Sequence, residues 1–408
     1  MRFMVPLAFV ALSACQTSAV ETSPAFPSPA PASPAPASQV TYAWATFGAD
    51  GVRSSGAAGV ADRRSGRQVT ADDPARVASV SKLIVALGVM RLVEQGRVDL
   101  DSDVSRWLGW QLRNPAFPNV PITLRMLLSH TSGLQDAGEA YVIPLGSTVR
   151  GAVADNQVYD RDHAPGTFFR YANLNFPIIA SALEKATGER FDRLIHGLVM
   201  KPLGLDACFN WTMCSDAKVA RAVTLYRPDG SVAVDDLQGK RPPCPVFRRG
   251  TECEIAGYEL GSNGALFSPQ GGFRASVRDL AVIGQLLLNN GRHKGRRFLS
   301  GASIDTILTP VWTFNGSNGD TSEGFYCAYG LAAQTLPIRV TGCNDDLLRG
   351  RRFIGHAGEA YNLRSGLWID PQRKVGIAYF AANNPADPPA GRSAYRAIEE
   401  WLAARIGD

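Results

Sequence analysis

Residues Ala78–Gly96 read ASVSKLIVALGVMRLVEQG, and the interpretation of the whole chain turns on them. After Lys82 the stretch is an almost unbroken apolar helix, stopped by Gly96. Lys82 stands one turn on from Ser79, on a helix with little polar surface to offer it. An ammonium group on the buried side of such a helix costs several kcal/mol unless it finds a partner or loses its proton. A lysine placed there beside a serine hydroxyl needs an explanation.

Outward from this helix, the preceding segment VTYAWATFG, a turn at ADG, and VRSSGAAGVAD read as two hairpin-linked strands. Downstream, RVDLDSDVSRWLGW starts a short helix and PITLRMLLSHTSGL another, ended by Gly133. NFPIIASALEKATG and FDRLIHGLVMKPLG follow with helical spacing and a terminal Gly, and so does ASVRDLAVIGQLLLNNG after an irregular Cys-bearing stretch. The tail alternates the strand-like RSGLWID and KVGIAYFAAN around Pro371 and closes with the helix GRSAYRAIEEWLAARIG. Strands at both ends around a helix-rich middle predict an α/β (α+β) fold: an antiparallel β-sheet flanked by helices, with an inserted all-helical lobe. The expected domain runs over residues 40–408, its α/β lobe being about 40–82 and 265–408 and its helical lobe about 83–264.

The first residues are not part of that fold. MRFMVPLAFVALSAC has a basic start, an apolar run too short to span a bilayer, and small residues before Cys15. Residues 1–14 therefore read as a signal peptide, and LSAC resembles a bacterial lipobox whose cysteine, Cys15, is lipidated. An ordinary export signal cut after Ala19 is the alternative. Residues 15–39 are rich in Pro, Ala and Ser, favour extended conformations, and fit a tether. The seven cysteines agree with a lipid on one of them, because an exported chain should not strand a thiol. The remaining six fall into neighbouring pairs, Cys208–Cys214, Cys244–Cys253 and Cys327–Cys343, which is the economical choice among fifteen connectivities. No zinc-knuckle spacing or His-Glu-x-x-His occurs, so no metal is expected. With 408 residues, 45% hydrophobic, 19% charged and a net charge of +5, the chain can bury a large core. No basic run is interleaved with aromatics, which speaks against nucleic acid.

Ser79 and Lys82 lie three apart and share a helix face. Burial would depress the lysine's pKa, and a neutral amine could help activate the hydroxyl. The pattern alone is weak, since SDAK, Ser215 to Lys218, repeats it in a polar, cysteine-flanked context. Two further motifs add to it. YAN, Tyr171 to Asn173, offers a phenol to relay a proton and an amide to bind a carbonyl or the lysine. HAG, His356 to Gly358, opens a strand, and its glycine permits close approach to the backbone. Singly, Tyr171 could be a satisfied core tyrosine and His356 a strand-end histidine bonded to a carbonyl.

In this order the three motifs resemble the serine β-lactamase and penicillin-binding-protein superfamily, in particular its class C β-lactamase-related branch of DD-peptidases, carboxylesterases and amide hydrolases. LRMLLSHTSGL and GHAGEAYNLRSGLWIDP are similar to that family too, and the resemblance covers nearly everything from Val40 to Ile406. It implies a β-lactamase/DD-peptidase-like fold and an acyl-enzyme on Ser79, with Lys82 and Tyr171 sharing the base and acid roles in an order the sequence leaves open. It implies that Asn173 positions Lys82 and the substrate carbonyl. It implies that His356 stands in for the usual lysine, and that Gly358 clears room beside the substrate. Backbone N–H groups of Ser79 and Glu359 would form the oxyanion hole. No cofactor is implied, and His130 in SHTSGL is expected to be structural.

The chain also departs from the family pattern. His356 is mostly neutral near pH 7, so ester or amide hydrolysis is expected ahead of efficient β-lactam cleavage. Asn362 occupies a position where relatives often have Gly, and Asn tolerates the left-handed conformation. Tyr226 to Cys253 reads as an insertion able to wall the substrate cleft. The expected protein is thus a membrane-tethered serine hydrolase on the periplasmic side of a bacterial membrane, the outer rather than the inner. A D-Ala-D-Ala carboxypeptidase or weak β-lactamase is the alternative within enzymes, and a silent peptidoglycan-binding lipoprotein the alternative outside them. An α/β-hydrolase is excluded by the lack of a G-x-S-x-G elbow. The oligomeric state is left open.

Overall fold

The computed structural model describes residues 39–407 except 235 and 251, together with Met1. The signal peptide beyond Met1, Cys15 and the tether up to residue 38 lie outside the described residues. No helix among the described residues is long and apolar enough to cross a membrane.

Strands β1 (Thr41–Gly48) and β2 (Val52–Ala58) form the expected N-terminal hairpin. Three long strands near the C-terminus, β3 (Phe353–Ala360), β4 (Leu363–Asp370) and β5 (Val375–Ala382), follow one another as antiparallel hairpins. β1 pairs antiparallel with β5, Thr41 opposite Ala382, so the two ends of the chain build one sheet. Among the described residues this sheet has eight strands. Three short ones, Trp312–Thr313, Ala328–Tyr329 and Gln334–Leu336, extend it beyond β3.

The sheet centre is buried on both faces, which is why β5 reads VGIAYFAA without alternation and every one of its residues is buried. One face is covered by the long amphipathic helix that ends in LLL, and the other by the last helix of the chain, Ala397–Ala403, through Ile398 and Leu402 beside Trp368 and Tyr395. The first cover can sit so close because of Gly284: a Cβ there would lie 2.1 Å from the Phe47 ring. Helices dominate residues 83–264, with short strands such as Cys208–Phe209 and Leu225–Tyr226 among them. The structure joins Cys208 to Cys214, Cys244 to Cys253 and Cys327 to Cys343.

Helix α1 (Ser81–Glu94) is central to the molecule, and every residue from Ser81 to Met90 is buried. A helix apolar all round needs cover all round, and it receives it here. It is preceded by a single 3₁₀ turn, Ala78–Val80, which carries Ser79. Some predicted elements end early for local reasons. The helix expected to run to Gly133 covers only Leu124–Leu128, because His130 already has φ +58°.

Candidate active site

The turn that presents Ser79 is held from several sides. Ala78 adopts φ +44°, costly for a residue with a Cβ and sustained only where neighbours over-determine it. Ser81 Oγ donates to Ala78 O at 2.5 Å and accepts Phe273 N–H at 3.0 Å, while Ser365 Oγ donates to Val77 O at 2.8 Å. The neighbouring short strand Gln334–Leu336 pairs only with Phe353, Ile354 and Gly355 of β3, and the rest of β3 runs on against the serine turn. Gly358 makes that approach possible. A Cβ there would fall 2.5 Å from Val77 O, 2.3 Å from Ser365 Oγ and 3.0 Å from Ser79 N. The space this glycine clears is thus first of all for the backbone of the Ser79 turn.

Lys82 is fully buried. Its Nζ lies 3.0 Å from Ser79 Oγ, 2.8 Å from Asn173 Oδ1 and 2.7 Å from Gln270 O. Burial lowers its pKa to about 7, with Asp136 pulling weakly the other way. The contact set fixes where the protons go. A neutral amine has two hydrogens and one lone pair. The Gln270 carbonyl and the Asn173 amide oxygen can only accept, so they take both hydrogens and leave the lone pair facing Ser79 Oγ. The orientation of the Asn173 amide is itself fixed, because its Nδ2 donates to Asp136 Oδ2 at 2.9 Å.

Asp136 was not singled out by sequence, yet it organises this corner. Its carboxylate accepts from the backbone N–H groups of Asn173 (2.8 Å) and Leu174 (2.9 Å) as well as from the Asn173 side chain, at the start of helix α2 (Asn175–Thr187). It stands in the loop after SHTSGL, where no short motif marks it.

Tyr171 stacks between His130 (ring centroids 4.2 Å apart) and Tyr326 (4.7 Å), and Lys82 Nζ lies 5.0 Å from its ring centre. Burial raises its pKa far above the ordinary tyrosine value, with Ser79 and Tyr326 countering part of the rise, so the phenol is protonated near neutral pH. Its Oη is buried and makes no hydrogen bond of standard geometry. His130 Nδ1 accepts Ala172 N–H and Asn175 Nδ2–H, both at 3.1 Å, so the ring holds the Tyr171 segment in place. Burial keeps that imidazole neutral.

His356 sits deeper than the sequence suggested. It is fully buried, and Tyr329 Oη donates to its Nε2 at 2.6 Å while its Nδ1 meets Ala357 O. Burial, aided by Lys82, lowers its pKa to about 3. The ring is therefore neutral and turned to the protein interior. Glu359, three residues on and exposed, pairs with Arg364 at 2.5 Å.

Ser79, Tyr171, Asn173 and Gly358 line a single cavity of about 430 Å³, with Arg76, Tyr326 and the buried acid Glu399 also in its walls. His356 is not among the lining residues. Lys82 lies beneath the floor, in contact with Ser79 and Asn173. Such a site holds a hydroxyl facing open space, an amine directly beneath it whose pKa burial lowers to about 7, and a protonated phenol beside both, which is equipment for acyl transfer.

A family model described as Beta-lactamase matches residues 36–400. Among curated relatives, Esterase EstB of Burkholderia gladioli is 36% identical over 166 residues, 37% of this chain and 42% of EstB. The D-alanyl-D-alanine-carboxypeptidase/endopeptidase AmpH of Escherichia coli K12 is 31% identical over 141 residues, 33% of this chain and 36% of AmpH. The chain thus matches less than half the length of either relative. Among solved structures, the D-amino acid amidase of Ochrobactrum anthropi SV3 superposes with a TM-score of 0.62 over 90% of this chain and 92% of its own, at 19% identity, a likeness of fold.

Proposed function

Because this chain belongs to the Beta-lactamase family, matched over most of its length, we propose that it is an exported serine hydrolase opening an ester or amide through an acyl-enzyme on Ser79. The observation that carries this reading is the buried Lys82 amine, whose two carbonyl acceptors leave its lone pair to Ser79 Oγ. Ser79 Oγ attacks the substrate carbonyl as its proton passes to Lys82. Backbone N–H groups of Ser79 and Glu359 meet the oxygen that gains charge, each worth about 3 kcal/mol. As the carbon–leaving-group bond breaks, the proton reaches the departing oxygen or nitrogen through the Tyr171 hydroxyl. A water then reverses these steps and frees the acid. Lys82 is the first base and Tyr171 the relay, since a phenol with so raised a pKa starts protonated.

The division into an α/β lobe, about 40–82 and 265–408, and a helical lobe, about 83–264, puts Ser79 and Gly358 on one wall and Tyr171 and Asn173 on the other. The buried, neutral His356 supplies no cation at the position of the family's usual lysine, which favours esters and amides over β-lactams, and leaves Arg76 and Arg364 as the cations in the cleft wall. EstB's name as an esterase accords with that choice. A D-Ala-D-Ala carboxypeptidase is the second reading, favoured by Arg76 and Arg364 in the cleft wall and by the activity in AmpH's name. Three disulfides fit an oxidising compartment, and with Cys15 they support a lipid-anchored enzyme on the periplasmic side of the outer membrane. Release of the protein from membranes by Cys15→Ala tests the anchor.

Labelling with a fluorophosphonate and a fluorescent penicillin, followed by peptide mapping, tests the function. An adduct on Ser79, lost in Ser79→Ala, is expected. A folded protein that takes neither label would turn the assignment to a binding lipoprotein. Turnover of a short acyl p-nitrophenyl ester against a D-Ala-D-Ala peptide separates the two enzymatic readings.

A further inference from the structure

A second cavity, of about 680 Å³, adjoins the cleft. The two share Arg76, Glu139, Tyr141, Gln270 and Tyr361, so these residues form a neck between them. Gln270 is also the residue whose carbonyl holds Lys82, which puts the neck directly beside the reacting atoms. Beyond it apolar side chains outweigh polar ones: Val142, Ile143, Val246 and Phe247 share the wall with Arg248 and Arg274.

This space is built rather than incidental. One wall belongs to the loop closed by the Cys244–Cys253 disulfide, and Leu145 N–H clamps that loop by donating to Phe247 O at 2.9 Å. The Trp211 ring is backed by the buried Arg274 guanidinium, 5.3 Å from its centre. Six large hydrophobic side chains are exposed among the described residues, and three of them, Val142 (39%), Phe247 (52%) and Tyr361 (46%), converge on this cavity. Apolar surface gathered at one place beside a reactive serine marks a ligand site.

We propose that this compartment receives a bulky apolar arm of the scissile ester or amide, an aryl group or medium-length alkyl chain, and that the Cys244–Cys253 loop thereby sets the preference for arm length. The inference rests on the Ser79 hydrolase assignment and supplies its substrate class.

The test is kcat/KM on two ester series: p-nitrophenyl acetate, butyrate, octanoate and phenylacetate, and ethyl, butyl and octyl acetates. A rise of about tenfold or more from the shortest to the longest member is expected in at least one series. In Phe247→Asp and Val142→Asp, both exposed positions, the long-to-short ratio should fall toward one. Flat profiles in both series, or a ratio unmoved in both variants, would overturn the proposal. Calorimetry with octanoyl p-nitroanilide and Ser79→Ala separates the two assignments. Saturable binding, weakened about tenfold by Phe247→Asp, would uphold the compartment where Ser79 takes no label. Turnover without such binding and with flat profiles would uphold the hydrolase and reject the compartment.

Discussion

The chain spells S-x-x-K twice, and the two copies have opposite fates. At Ser215 the serine caps a short helix: its Oγ accepts Lys218 N–H at 3.1 Å and donates to Asp206 Oδ2 at 2.5 Å. Lys218 reaches across to the Asp279 carboxylate at 2.7 Å. At Ser79 the same spacing lies at the entrance to a helix buried all round, and the lysine meets two carbonyl oxygens and the serine, with no carboxylate in contact. Asp136 acts on it only from behind Asn173. Both lysines are satisfied, but only the one buried without a carboxylate in contact has its pKa lowered to about 7, as the proposed base requires. The four letters fix a distance, and the surroundings decide whether that distance is structural or chemical.

The sharpest contrast should come from the serines. Ser79→Ala is expected to lower kcat for p-nitrophenyl ester hydrolysis by about 10⁴-fold or more, measured beside Ser215→Ala, which should retain turnover. The comparison can be broken by giving Lys82 what Lys218 has. Asn173→Asp puts a carboxylate against its Nζ, favours the ammonium form, and should cut kcat/KM at pH 7 by about 10²-fold. The pH profile reports the same change. Below pH 7 the wild-type Lys82 is protonated and lacks its lone pair, so kcat/KM should rise with pH and level off above about 7. In Asn173→Asp that rising limb should move to higher pH, and a limb that stays put would exclude Lys82 as the base. Asp136→Asn, which weakens the anchor of Asn173 without touching substrate, should cost about tenfold in kcat and leave KM nearly unchanged. The smallest effect belongs to the other copy: Ser215→Ala should lose about 1 kcal/mol of stability in urea unfolding, as helix caps do.

What was legible follows from what covalent geometry and periodicity can carry. A spacing of three across a helical turn puts Ser79 and Lys82 on one face, and the 3₁₀ turn that runs into α1 keeps them there. The long strands were readable because β1, β4 and β5 carry recognisable apolar runs between turn residues. Tyr171 and Asn173 were located only because their motif resembles a family's, since nothing local ties residue 173 to residue 82. Gln270 was invisible for a deeper reason: it acts through a backbone carbonyl, which every residue has. His356 was expected to open its strand and is instead the fourth residue of β3, and its depth was not readable. The Tyr329 that binds it sits on a two-residue strand, too short to show alternation. Gly358 was recognised as a close-approach residue, and what approaches is the turn that carries Ser79.

The pairing of β1 with β5 sets the timing of folding. Asn383 Nδ2 hydrogen-bonds Thr41 Oγ1 across 342 residues of chain. At a synthesis rate of ~5–20 residues per second, about 20–70 s separate the emergence of one partner from that of the other. Throughout that interval the sheet lacks the strand that joins its halves, so β1 and β2 remain a hairpin awaiting a neighbour. Contacts of such range make this lobe a slow and late folder. A chain that cannot finish its sheet until its last hairpin arrives stays incompletely folded for most of its synthesis, the state that the proposed export would draw on.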